Sequence, residues 1–271
     1  MKKLKIRLIL FAVIVLGCGW LGKVVDTILP GQPKGQSLGL LLWLVAPMMV
    51  SVLLGMLSHS EYKTLGLKPR LKGNGRWYLI SFIIFPGIMI FSIGMGIITR
   101  SIDLKHFAIQ GFISSLFTWF IINFFRTILE ETAWRGFLQE RLIILKVNDW
   151  GIYFITALIW ALWHIPYYLF YIEGNSAQMI VSCFAILFSW SILYAELYRI
   201  TRTIWPCVLL HAASNAIQYT MADNYLATSG NWELIFSPTE SIMACSIILT
   251  LGLLLRRYRI KKYTVQSQSQ N

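Results

Sequence analysis

Charge is scarce in this 271-residue chain: Asp, Glu, Lys and Arg together make up 13% of it. A soluble globular domain carries about 25%. Acidic residues are the scarcest, with 12 Asp+Glu against 24 Lys+Arg and a formal net charge of +12. Hydrophobic residues reach 56%, where about 45–50% is ordinary. Together these totals exclude a soluble enzyme and a disordered chain. Cysteine is sparse too. Cys18, Cys183, Cys207 and Cys245 share no close spacing, and each lies in an apolar stretch. That excludes a disulfide scaffold and leaves them as small packing residues. Alternation of polar and apolar residues is lacking, which argues against a membrane barrel. No internal repeat is visible, which argues against a transporter built from inverted halves.

What remains is apolar sequence in long blocks. Eight segments stand out, at roughly 8–29, 38–57, 77–99, 109–129, 150–172, 177–197, 204–221 and 239–255. Most reach about 20 residues, enough for ~30 Å of hydrocarbon. The expected fold is all-α: a polytopic bundle of about eight transmembrane helices. Residues 1–262 would form a single transmembrane domain with its motif-bearing core at about 109–221. Residues 263–271 would be a polar, disordered tail. With the N-terminus inside, nineteen of the Lys and Arg residues fall in inside segments and four (Lys23, Lys34, Arg100, Lys105) in outside loops. Such a bias predicts both termini in the cytoplasm. The basic excess then sets topology and implies no nucleic-acid partner. The expected location is a bacterial plasma membrane. Val15-Leu16-Gly17-Cys18 after a basic start has the look of a lipoprotein signal, but the apolar run continues to about Leu29. An uncleaved first span is expected.

Ionisable groups inside spans cost at least ~2.5–3.5 kcal/mol each and are rare without a role. Here they cluster. The first cluster is Glu130-Glu131-Thr132-Ala133-Trp134-Arg135, at the end of the fourth segment. Helical spacing puts Glu131 and Arg135 on one face, so Arg135 can neutralise Glu131. Glu130 points about 100° away and lacks that local partner. A carboxylate left unneutralised away from water is suited to act as a general base. The bland alternative is a membrane-edge salt bridge. The second cluster is Trp160-Ala161-Leu162-Trp163-His164-Ile165-Pro166, in the fifth segment. His164 could accept a proton, orient water, bind metal or bond a nearby carbonyl. Pro166 locally loosens the helix. The third is His211-Ala212-Ala213-Ser214-Asn215. His211 and Asn215 share a face and could stabilise an oxyanion or join two helices by hydrogen bonds. His59 and His106 fall in expected loops. Most Trp and Tyr read as packing or interface anchors; Trp134 and Trp163 flank the clusters.

No His-Glu-x-x-His is present, the paired Asp motifs of intramembrane aspartyl proteases are missing, and no Ser or Cys has a base at a telling spacing. The polar residues that do occur follow the order Glu-Glu-x-x-x-Arg, aromatic-x-x-x-His, His-x-x-x-Asn. In this the sequence resembles the CAAX protease and bacteriocin-processing family, also called the Abi family. Glu130, Glu131 and Arg135 match its first motif, His164 its second, and His211 with Asn215 its third. Trp160 stands where that family usually has Phe. The motifs cover residues 130–215, less than a third of the chain.

The resemblance implies an eight-helix intramembrane glutamate protease, similar to type II CAAX prenyl endopeptidases. By position, Glu130 and His164 would activate a water, His211 and Asn215 would hold the oxyanion, and Glu131 and Arg135 would support the site. The substrate would be a peptide or a membrane-associated protein, and no cofactor is implied. Some family members are linked to bacteriocin maturation or immunity. Two alternatives stay open: a Zn²⁺ site made by Glu130, His164 and His211, and a non-catalytic immunity or scaffold protein of the same fold. If the fourth helix ended near Leu129, Glu130 and His164 could not meet. The apolar residues Phe137, Leu138, Leu142, Ile143 and Leu145 predict that it continues.

Overall fold

The computed structural model describes residues 2–33, 35–57, 65–105, 107–174, 176–223 and 225–268, with side chains as far as residue 262. His59, His106 and the last three residues of the tail lie outside the described residues.

All eight apolar segments are helical. They form α1 (Lys2–Ile28), α2 (Leu38–Met56), α3 (Gly75–Ile98), α4 (Ile109–Glu131), α6 (Asp149–Phe170), α7 (Ser176–Thr201), α8 (Trp205–Ala222) and α10 (Ile242–Gln268). Two short helices, α5 (Glu140–Ile144) and α9 (Trp232–Ile235), join them among the described residues. Among the described residues, six helical stretches are long and apolar enough to cross a membrane: α1, α2, α3, α6, α7 and the 36-residue stretch Ile109–Ile144. This is the build of an all-α multi-pass membrane protein. Among the described residues the one departure is a two-residue antiparallel bridge, with β1 (Ile102–Asp103) pairing to β2 (Ala227–Thr228).

The helix boundaries follow local chemistry. Ser37 caps α2, its hydroxyl accepting from the Leu40 amide at 3.2 Å. Asn148 caps α6 in the same way through the Gly151 amide at 2.8 Å, with Asp149 in the first turn. Pro206 opens α8, where a missing N–H costs nothing. The fourth helix does continue past Glu130. Thr132–Gln139 winds on as a π-helix and leads directly into α5. Sequence periodicity had suggested ordinary α-winding here. Hydrophobic pattern alone does not separate the two, since both keep the stretch helical and apolar.

The contacts divide the chain into two compact units, Met1–Lys68 with Leu129–Ser191, and Pro69–Ile128 with Ile192–Asn271. In the first unit, α1 and α2 cross at Gly22 and Gly39. A Cβ on either glycine would run into the other's backbone carbonyl. Gly19 is equally close to α6: its added Cβ would lie 2.7 Å from Pro166 Cβ and 2.9 Å from Trp43 Cδ1. Lipid chains are as apolar as leucine, so helices associate by close packing and hydrogen bonds, and small residues at crossings allow both. Asp26, at the end of α1, gathers four donors. They are Ser37 Oγ (2.7 Å), the Gly39 amide (2.8 Å), Tyr171 Oη (3.0 Å) and Gln32 Nε2 (3.2 Å). This one carboxylate ties α1 to the start of α2 and the end of α6.

In the second unit, α3 packs on α8. Asn74 donates to the Thr201 carbonyl at 3.1 Å. The carboxylate of Glu196 on α7 takes two bonds from Arg259 on α10, Nε at 2.5 Å and Nη2 at 3.0 Å. Ile102, Leu226 and Trp232 form a small apolar cluster next to the strand bridge.

Candidate active site

The first motif lies where α4 passes into the π-helix. Glu130 is 5% exposed, while Glu131 and Arg135 are completely buried. Arg135 Nη1 lies 3.2 Å from Glu131 Oε1, the pairing that the four-residue spacing predicts. The π segment is anchored on its other side. A Cβ on Gly136 would collide with the backbone carbonyl of Leu65. The side chain of Arg141 donates to the Gly136 carbonyl at 2.8 Å, and its guanidinium lies 4.2 Å from the centroid of the Phe137 ring. Phe11 from α1 packs on Phe137 (centroids 4.9 Å apart) and edge-on to Trp134 (6.2 Å). π-Helical turns are rare and concentrate at functional sites. Here one directly follows the carboxylate pair.

The second motif lies on α6, in the same unit. His164 Nδ1 is 2.9 Å from the carbonyl oxygen of Trp160. A carbonyl only accepts, so Nδ1 carries the proton, and in the neutral ring Nε2 holds the lone pair. This bond to a neighbouring carbonyl sets the tautomer, and with it the nitrogen that carries the lone pair. The aromatic shell around the imidazole is dense. Trp43 from α2 stacks on Trp163 (4.0 Å, interplanar 8°) and on Tyr167 (4.6 Å, 8°), and lies edge-on to His164 at 5.9 Å. Its indole donates to the Trp163 carbonyl at 2.9 Å. Trp163 in turn meets His164 edge-on at 4.7 Å.

The structure brings Glu130 and His164 to a common residue. Trp160 Nε1 donates to Glu130 Oε2 at 3.1 Å, while the carbonyl of the same Trp160 takes the His164 Nδ1 proton. Glu130 therefore does have a nearby donor, supplied by another helix rather than its own. From sequence, Trp160 stands out only as the residue at the resembled family's Phe position, and Trp43 not at all. Trp160 sits one helical turn before His164, which was a usable signal. Trp43 carried none, because its partner lies 120 positions away.

The third motif belongs to α8, in the second unit. His211 is buried and meets Tyr194 edge-on, with centroids 5.9 Å apart. Asn215 follows four residues later and is half-buried. Ser214 Oγ bonds back to the His211 carbonyl at 2.8 Å, and Thr127 of α4 reaches the Val208 carbonyl at 3.3 Å. The four cysteines are free thiols. Among the described residues, no three His, Cys, Asp or Glu side chains gather as a metal-ligand set.

No curated protein matches the chain. Residues 112–217, which include all six motif positions, match the model of the Rce1-like family, described as type II CAAX prenyl endopeptidase.

Proposed function

We propose that this protein is an intramembrane endopeptidase that cleaves a peptide or membrane-associated protein with a glutamate-activated water. The observation that carries the reading is the family match over 112–217, together with the meeting of Glu130 and His164 at Trp160. Glu130 removes the proton from water as it attacks the scissile carbonyl. His164, with Nδ1 engaged, turns its Nε2 to the same water. His211 and Asn215 donate to the tetrahedral oxygen, each such donor being worth ~2.7–4 kcal/mol in the transition state. Glu130 then returns the proton to the leaving amine. The buried Glu131–Arg135 pair braces the turn that carries Glu130.

In the same reading the chain spans the membrane eight times, α8 and α10 joining the six longer apolar stretches. Both termini face the cytoplasm, as the Lys and Arg bias supports. The protein resides in a cell membrane. No cofactor is required.

The test is mass spectrometry of small exported peptides from cells carrying wild-type or Glu130→Gln protein. A cleavage product present only with wild type, while the variant inserts and folds normally, is the expected result. Full cleavage by purified Glu130→Gln protein would refute the reading. Activity that a chelator abolishes and stoichiometric Zn²⁺ restores would replace glutamate activation with a metal-bound water.

A further inference from the structure

Three of the four polar groups of the first unit's site share one neighbour, and the fourth, Glu131, reaches it through Arg135. Glu131 pairs with Arg135 at 3.2 Å. The Arg135 guanidinium lies over the Trp160 ring, 4.5 Å from its centroid. The Trp160 indole N–H points to Glu130 Oε2 at 3.1 Å. The Trp160 carbonyl receives His164 Nδ1–H at 2.9 Å. A cation over an indole face is attracted by the ring's π electrons. By drawing that density toward itself, it leaves the N–H more positive and a better donor to a carboxylate. A phenylalanine at this position would still offer Arg135 an aromatic face but would have no N–H to give.

We propose that Trp160 is the positioning residue of this site, holding the Glu130 carboxylate through its indole N–H and the His164 ring through its carbonyl. The proposal rests on the hydrolytic reading above for its kinetic consequence, but not for its geometry. The indole bond fixes one carboxylate oxygen, Oε2, so the proton is taken by the other. The carbonyl bond fixes the imidazole tautomer. Because both come from one residue, the spacing of acid and ring is set by a single rigid side chain and one helical turn. The buried ion pair acts on Glu130 at one remove, through the aromatic face it lies over.

Two measurements test this. The first is ¹⁹F NMR of the full-length protein in detergent, labelled with 5-fluorotryptophan. The Trp160 resonance is identified by its loss in Trp160→Phe. It is expected to move in Glu130→Leu, which removes the acceptor, and to move again in Arg135→Met, which removes the cation. A resonance that ignores Glu130→Leu overturns the proposal, whatever the protein cleaves.

The second measurement is steady-state cleavage by Trp160→Phe. Hydrogen bonds to charged groups are strong enough that losing one from a reacting carboxylate should lower kcat by about 10- to 100-fold. KM should stay within about two-fold, because substrate is not held by the indole. The thermal midpoint is expected to fall somewhat, since Trp160 is buried and the smaller ring leaves a gap, so both constants are read well below it. If kcat and KM worsen together, or if kcat is unchanged, the positioning role is wrong. If wild-type protein cleaves nothing while the fluorine shifts appear as stated, the hydrolytic reading fails and the Trp160 geometry stands.

Discussion

The guanidinium of Arg135 lies 3.2 Å from the carboxylate of Glu131, and neither side chain reaches the surface of the protein. Two opposite charges buried together tolerate joint replacement far better than the loss of one. Removing a single partner typically costs about 3–5 kcal/mol. Arg135→Ala is therefore expected to lower the thermal midpoint in detergent by many degrees, and Glu131→Ala likewise. A double Glu131→Leu, Arg135→Met variant should be less damaged than either. A single variant with an unaltered midpoint would show that the pair does not hold the turn.

His164 is expected to be the Nδ1–H tautomer whenever its ring is neutral. The Trp160 carbonyl allows no other arrangement at 2.9 Å. Long-range ¹⁵N–¹H correlation on histidine-labelled protein reads this directly. A neutral ring with its proton on Nε2 would remove the proton acceptor that the proposed mechanism assigns to His164.

The crossing of α1 and α2 leaves no room between Gly22 and Gly39. Overpacking in a close contact costs about 1–3 kcal/mol and sometimes more. Here the obstacle is backbone, which cannot turn aside. Gly22→Leu and Gly39→Val are expected to reduce the folded yield sharply, by size-exclusion profile and protease resistance. Gly17→Ala on the same helix faces open space and should behave as wild type. Equal behaviour of all three would show that the helices do not meet there.

Burial, together with the Asp26 carboxylate that it donates to, raises the Tyr171 phenol above its usual range. A group whose affinity for its proton is raised on folding stabilises the fold fully below its unfolded value, about pH 10, and loses that contribution only as pH rises through the folded value. The wild-type minus Tyr171→Phe absorbance difference should thus show no tyrosinate signal until well above pH 10. Tyr171→Phe should be less stable than wild type at neutral pH. Tyrosinate appearing in that difference by pH 10 would mean the bond to Asp26 is not made.

Six membrane-crossing stretches could be read from sequence because lipid demands long apolar runs, and six of the eight segments form helices that meet that demand. Continuation of the fourth helix past Glu130 was equally legible, from Phe137, Leu138 and Leu142. The pairing of Glu131 with Arg135 followed from spacing alone. Other features had no local signature. The π-winding of Thr132–Gln139 keeps the same apolar content as an α-helix. Asp26 lies near the end of the first segment and has no local sign of a role until Ser37, Gln32 and Tyr171 are seen to converge on it. Trp160 is marked in the sequence by its motif position alone, since its bond to Glu130 joins positions 30 apart.

The run from Thr132 to Gln139 also bears on how this protein can change over evolutionary time. Wider winding of this kind accommodates one more residue than the neighbouring turns would. Loss of a single codon within it could restore ordinary winding without breaking the helix or shortening its apolar reach. A residue lost from regular α-winding would turn everything downstream by roughly 100° about the axis. Lost from the wide turn, it would leave the helix beyond facing much as before, because the extra residue had already been absorbed there. The change would fall on the turn itself, where Arg141 reaches the Gly136 carbonyl.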